Sequence, residues 1–541
     1  METMQFCLAG AGIIYQQPNY EHVVLQIDRW NDYDFVTQFF ATYISPVGEK
    51  LKLGNIKIGY HGQEESSTTF EEILRRYGET FQSLEEDFFS LGGDADFYKN
   101  CSSLDSQIKL DILNSLRDVV ANQTILTSIG DEPVFHISLL RNTSYSVIQG
   151  QYTRLIRGES AHQNYNFRFV CAQRKNIERL TLEFSVDIKR RLSTNIHAII
   201  GRNGAGKTTI LNEMIGALTN KSPITPDQAR FESSQSNSPY QSPNISSTDF
   251  FSGLVSVSFS AFDQFPPPPD QRGPHKGPKY RYVGLRAKEN RQELRTISQL
   301  HQECIEELGY CFDDEKRTER WLDSMQILGR SDVLFGALGL IDLPERYAST
   351  IGIEPSFFKR RQMLLSGDFN NFVQPSLDAM SSGHFIVFHT MTQLVAAVDE
   401  KTLVLIDEPE VHLHPPLLSA FIRALEELLR ERNGVAIIAT HSPVVLQEIP
   451  STCVWKIYRV GSRVSVSRPA RDTFGENVGV LTSEVFGLDV ERSGFHTLLS
   501  EAVKKGHTYE EILESIDWQL GLEGRAVLSS LIANRDKRSK R

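Results

Sequence analysis

The run Gly201-Arg202-Asn203-Gly204-Ala205-Gly206-Lys207-Thr208 has the spacing GxxxxGK[ST]. Each residue type has a physical task there. Glycines let the backbone curl, so that successive N–H groups can face a phosphate. A helix starting at the end of the loop adds positive potential, and Thr209 belongs to its first turn. Lys207 can bridge the β- and γ-phosphates of a nucleoside triphosphate, and the Thr208 hydroxyl can ligate Mg²⁺. A second run, Leu403-Val404-Leu405-Ile406-Asp407-Glu408, ends an apolar stretch in two carboxylates. Asp407 could hold Mg²⁺ through water, and Glu408 could orient and polarise an attacking water. A third, Val435 to Ala439, leads into Thr440-His441-Ser442-Pro443. An imidazole at that place can reach a γ-phosphate.

Such side chains need strands to carry them. Ile196, Ala198, Ile199 and Ile200 predict a short buried strand before the loop, and Thr209 to Leu218 predicts a helix after it. A strand apolar at every position suits the centre of a parallel sheet. Ligands in open α/β sheets bind at the carboxyl ends of such strands, where Asp407, Glu408 and His441 fall.

These motifs in this order resemble the ABC-class ATPases. That resemblance implies a signature loop, and Met380-Ser381-Ser382-Gly383-His384 looks like it. It departs from LSGGQ at three of five places and keeps Ser at the second and Gly at the fourth. Ser381, Ser382, Gly383 and His384 would then reach the γ-phosphate held by a partner subunit. The helical stretch Phe385 to Val398 would point its positive end there; a plain Ser/Gly helix cap is the simpler reading. Gln264 is placed like the family's glutamine that contacts Mg²⁺ and water, with Asp263 as a rival.

Glu408 is followed by Pro409-Glu410-Val411-His412-Leu413-His414-Pro415. This run resembles the soluble ATPases of the RecF/OLD-like group. His412 and His414 are metal-type side chains, but in that group the run serves as the D-loop at a dimer interface. The whole build is most similar to the ATPase subunit of Septu-type anti-phage systems. The resemblance implies ATP and Mg²⁺ as cofactors, a head-to-tail dimer or higher oligomer, and a separate HNH-type nuclease partner under ATP control. A RecF-like DNA-repair ATPase, a transporter's ATPase subunit and a non-hydrolysing scaffold stay open. No further metal-binding constellation and no nuclease motif are legible in the chain.

The expected fold is therefore α/β: an ABC-type ATPase core, with a phosphate-loop sheet and a helical lobe, a β-rich N-terminal elaboration and a C-terminal extension. The expected divisions are an N-terminal α+β elaboration over 1–165 and an ATPase lobe with the phosphate loop over 166–285. A helical and signature lobe over 286–385 follows, then a lobe with Asp407, Glu408 and His441 over 386–452. A hairpin and helices close the chain over 453–541. In the first of these, His22 to Ile27, Phe35 to Ile44 and Leu51 to Tyr60 carry strand patterns, and Phe70 to Tyr77 and Leu104 to Val120 helical ones. Asp94-Ala95-Asp96 reads as a loop or a helix start.

The 541 residues hold 57 Lys and Arg against 68 Asp and Glu, a net charge of −11. That balance argues against wholesale coating of nucleic acid. A local basic stretch, Lys276 to Arg291 with Tyr280 and Tyr282 interleaved, leaves DNA open as a partner. The six cysteines have no zinc-clip spacing and suit a reducing, cytoplasmic setting. No apolar run approaches the roughly 18 residues of a membrane span, so no membrane partner is expected. The basic tail from Arg535 to Arg541 reads as a frayed terminus.

Overall fold

A computed structural model describes residues 4–10, 20–28, 35–65, 67–141, 143, 145–171, 180–220, 228–233, 250–260, 266–271, 278–287, 290, 293–312, 315–350, 367–460, 463–486 and 494–539. Gln264 and its rival Asp263 lie outside these residues, as do Lys276, Lys288 and Arg291 of the basic stretch.

Seven strands form the central sheet, in the spatial order Lys279–Gly284, Gly253–Ser258, Leu403–Asp407, Val435–Thr440, Ile196–Ile200, Val454–Val460 and Arg463–Ser467. The first six run parallel and the last is antiparallel. The pleat sends alternate residues to opposite faces. Ile196, Ala198, Val404, Ile406, Ala436 and Ile438 enter one core with the helices of the helical lobe. Ile199, Leu403, Leu405, Val435, Ile437 and Ala439 enter another. That second core is closed by the helix Lys207–Thr219 and by an antiparallel sheet of Arg230–Ser233, Tyr165–Val170 and Thr181–Val186. Both faces are covered, which is why the central runs Leu403 to Ile406 and Val435 to Ala439 are apolar throughout.

The hairpin expected to begin the C-terminal extension belongs to this sheet. Val454–Val460 lies parallel to the phosphate-loop strand, pairing Val454 with Ala198 and Lys456 with Ile200. The division drawn at 385/386 falls inside the helix Ser382–Ala397, which packs on the sheet and on the helix Ile297–Phe312 together. Beyond the hairpin, Val478–Phe486 joins the ATPase core through Leu481 and Val485. Phe495–Lys504, Tyr509–Ser515 and Leu522–Ser539 build a small core of their own around Leu499, Val503, Ile512, Leu513 and Leu528. The helix Leu522–Ser539 carries the described part of the tail, and Arg535 donates to the carbonyls of Val503 and His507; Lys540 and Arg541 lie outside the described residues.

The N-terminal region has a six-stranded sheet in the order Thr80–Phe81, Gln5–Ala9, His22–Ile27, Gln38–Ile44, Lys50–Tyr60, Phe88–Gly92. It encloses a separate core. The long helical pattern of 104–120 is realised only over Ser106–Ser115, because Arg117 turns to φ 58°. Asp94 caps the helix Ala95–Ser102 by accepting from Phe97 N. This region docks against the residues that start the sheet strands. Arg154 pairs with Glu400 at 2.5 Å, and His162 Nε2 lies 2.8 Å from the carbonyl of Glu431. It therefore meets the opposite end of the strands from the phosphate loop.

The part of the basic stretch over Lys279 to Gly284 belongs to the central sheet. Lys279–Gly284 is a sheet strand with Tyr280 and Tyr282 buried. Arg281 is paired with Glu307, and Lys279 with the carbonyl of Thr143 and with Asp399.

Candidate active site

The phosphate loop joins the strand Ile196–Ile200 to the helix Lys207–Thr219. Its glycines have different reasons to be there. Gly204 and Gly206 stand at φ +78° and +101°, in the left-handed region where a side chain is strained, and a Cβ at either would meet nothing within 4 Å. Gly201 has a close neighbour instead: a Cβ would come within 2.7 Å of the Ile457 carbonyl oxygen. The hairpin strand thus presses on the start of the loop. Arg202 lies over the Tyr458 ring at 5.8 Å, Asn203 is exposed, and Ala205 is buried. Thr208 and Thr209 are half-buried in the first helical turn.

Lys207 is buried, and its Nζ donates to the carbonyl of Gly201 at 3.0 Å. Glu408 Oε1 lies 3.8 Å from that nitrogen. Glu408 stands at φ 46°, ψ 60°, a left-handed conformation between the end of its strand and Pro409. Proline disfavours the right-handed helical region for the residue before it. Left-handed backbone in a non-glycine residue costs on the order of 1–3 kcal/mol and collects at functional sites. The turn aims the carboxylate across the sheet ends at Lys207 and His441.

His441 follows the neighbouring strand, and its Nδ1 lies 3.5 Å from Glu408 Oε1 and 3.2 Å from Glu410 Oε1. The nearby carboxylates, Glu408 first, hold the imidazole above its ordinary range against the effect of burial. Glu408 is held below the usual carboxylate range by His441 first, with Lys207 adding and burial opposing. Asp407 sits one residue earlier, in register with Ser258 and Ala439. The structure thus brings together Lys207, Glu408 and His441 from three parallel strands or their helices.

Glu410 is the residue sequence reasoning missed. Its Oε1 accepts from Thr440 Oγ1 at 2.7 Å and from the His441 backbone N–H at 2.8 Å. One carboxylate therefore fixes both the end of the neighbouring strand and the imidazole beyond it. The signal available was a second acid two residues after Glu408, in a run read as an interface loop.

Ser381 and His384 bond to each other, and His384 to Asp332, within the subunit. Ser381 caps the helix Ser382–Ala397 by accepting from the His384 N–H, and its Oγ lies 2.6 Å from His384 Nδ1. His384 is buried, with Nε2 3.2 Å from Asp332 Oδ1. Within one subunit, Ser381 acts as a helix cap.

The donor set at the loop fits Mg²⁺ and a triphosphate. Thr208 and Asp407 offer the hard oxygen ligands Mg²⁺ prefers, and the glycine cradle has room on its open side.

The chain is 44% identical over 513 residues, 95% of each chain, to protein ea59 of Escherichia phage lambda. It belongs to the ea59 family. Residues 196–447 match the family described as "AAA domain, putative AbiEii toxin, Type IV TA system". Those residues hold the phosphate loop, Asp407, Glu408 and His441, so the chain carries an ABC-like P-loop ATPase domain. Among solved structures, the MJ1267 ATP-binding cassette of an ABC transporter in its ADP conformation is similar at 12% identity. It covers 61% of this chain and 100% of its own, with a TM-score of 0.29. An Smc head domain from Pyrococcus furiosus bound to the C-terminal domain of ScpA is 10% identical, covering 57% and 96%, with a TM-score of 0.24. Likeness at that level says nothing of what this chain acts on. Among the described residues, no helix is long and apolar enough to cross a membrane.

Proposed function

We propose that this chain binds and hydrolyses Mg²⁺–ATP at the phosphate loop. The observation that carries the reading is the convergence of Lys207, Glu408 and His441, with Glu408 3.8 Å from one cation and 3.5 Å from the imidazole. Backbone N–H groups of Gly204 to Thr208 and the Lys207 ammonium bind the β- and γ-phosphates. Thr208 and Asp407 hold Mg²⁺, which offsets negative charge on the phosphates when bound. Glu408 accepts the proton of the attacking water, its charge kept on by its neighbours. His441, held by Glu410, donates to the γ-phosphate. Gln264 is assigned to the water and metal by the resemblance alone.

The finer reading is a head-to-tail dimer in which Ser381, Ser382 and Gly383 of one subunit complete the site of the other, while His384 is turned inward to Asp332, and in which ATP state governs a separate HNH-type nuclease in anti-phage defence. Motif order and resemblance support it. A direct DNA contact has lost its main sequence support, since the described part of the basic stretch is a paired sheet strand.

Multiple-turnover phosphate release, with direct ATP binding in parallel, tests the central reading. Glu408→Gln keeps shape and removes the base, so turnover falls by about 10²–10⁴-fold while ATP binding persists. Near-normal turnover would move the base elsewhere. Absence of ATP binding by the wild-type chain would end the reading.

A further inference from the structure

The chain was expected to hold no metal-type constellation outside the ATP site. The structure assembles one. Asp332, His384 and His414 place a carboxylate oxygen and two imidazole nitrogens within 4.8 Å of one another. They come from three separate elements. Asp332 caps the helix Val333–Ala337, His384 lies in the first turn of Ser382–Ala397, and His414 caps Pro415–Glu431.

We propose that Asp332, His384 and His414 bind a single divalent transition ion of the zinc class, which pins the 381–384 segment to the segment after Glu408. The spacing suits the ion. Tetrahedral zinc, with bonds of about 2.0–2.2 Å to N and O, sets neighbouring ligand atoms roughly 3.3 Å apart. His384 Nε2 lies 3.2 Å from Asp332 Oδ1, and His414 Nε2 lies 3.3 Å from Asp332 Oδ2. The ligand chemistry selects the class: two imidazoles and one carboxylate suit zinc, cobalt or nickel better than Mg²⁺ or Ca²⁺.

The outer partners are in place as well. His384 Nδ1 sits 2.6 Å from Ser381 Oγ, so donating there leaves the Nε2 lone pair for the ion. Asp332 Oδ1 accepts from Phe335 N at 2.7 Å, which fixes the carboxylate. His414 Nδ1 accepts from Leu417 N at 3.4 Å. Binding at Nε2 moves that ring's proton to Nδ1 and gives up this already long cap. Asp332 and His384 are buried, while the His414 side chain is 50% exposed, so the ion has an entry path and room for water as a fourth ligand.

The test uses the full chain, stripped of metal, with excess Mg²⁺ present. Zn²⁺ binding is followed by calorimetry and Co²⁺ binding by its visible absorption. One ion per chain is expected. The cobalt spectrum should be that of N and O ligands, because all six cysteines are buried elsewhere. His414→Ala, at a half-exposed position, should lower the metal-free melting temperature only by the loss of its long cap to Leu417, and should lose affinity beyond the roughly 10–100-fold that an outer partner is worth. Asp332→Asn should do the same to affinity; if it fails to fold, His414→Ala decides alone. His412→Ala, a neighbouring exposed histidine, should bind as wild type does. No stoichiometric binding by the wild-type chain overturns the proposal. So does unchanged affinity in His414→Ala, or a signal abolished by Asp407→Asn but kept in His414→Ala, which would put the ion at the phosphate loop.

Discussion

Gly383 lies directly against His412: a Cβ on residue 383 would stand 2.8 Å from the His412 carbonyl oxygen. The obstacle is backbone, so a side chain there must push the 381–384 segment away from the run after Glu408. Gly383→Ala is expected to destabilise the fold by about 1–3 kcal/mol, the usual cost of overpacking. Denaturant unfolding measures it. Unchanged stability would mean the two segments do not touch.

Glu410 should matter to hydrolysis without touching the nucleotide. Glu410→Ala leaves Thr440 Oγ1 and the His441 N–H without their acceptor, a cost of about 1–3 kcal/mol. Turnover should fall while ATP affinity stays near wild type. A loss of ATP affinity equal to the loss of turnover would instead place Glu410 in binding.

The Glu408–His441 contact has a pH signature. His441 is raised, so its share of stability is full below the unfolded value of about 6.5 and is lost as pH rises through the folded value. Glu408 is lowered, so its share is present above about 4.3 and is lost as pH falls through the folded value. Both act together between those limits, in the company of Lys207 and Glu410. The melting-temperature gap between wild type and His441→Ala should be wider at about pH 5.5 than at about pH 8.5. A gap that grows with pH would contradict the pairing.

A shared site predicts complementation. Ser381→Arg damages the segment offered to a partner, and Lys207→Ala damages the phosphate loop. Each variant alone should be inactive, and mixing them should restore part of the phosphate release through hybrid dimers with one intact site. The Arg variant also loses a helix cap worth about 1 kcal/mol, so its folding is checked by circular dichroism. Absence of rescue despite measured subunit exchange would count against independent composite sites.

The sequence by itself determined the phosphate loop, the carboxylate strand end and the parallel centre of the sheet. Each is a local pattern: glycine spacing sets a backbone path, and unbroken apolar runs signal strands covered on both faces. Tertiary structure alone decided what reaches those motifs from far along the chain. Val454–Val460 reads as an isolated hairpin until it pairs with Ile196–Ile200 and brings Ile457 against Gly201. Glu410 reads as one more acid in a loop until the neighbouring strand delivers Thr440 and His441 to it. Asp332 carries no motif, yet it lies between His384 and His414 because three helix starts converge there. Such contacts join residues dozens to hundreds of positions apart, and they leave no periodicity or spacing in the sequence, because closure of the fold is what creates them.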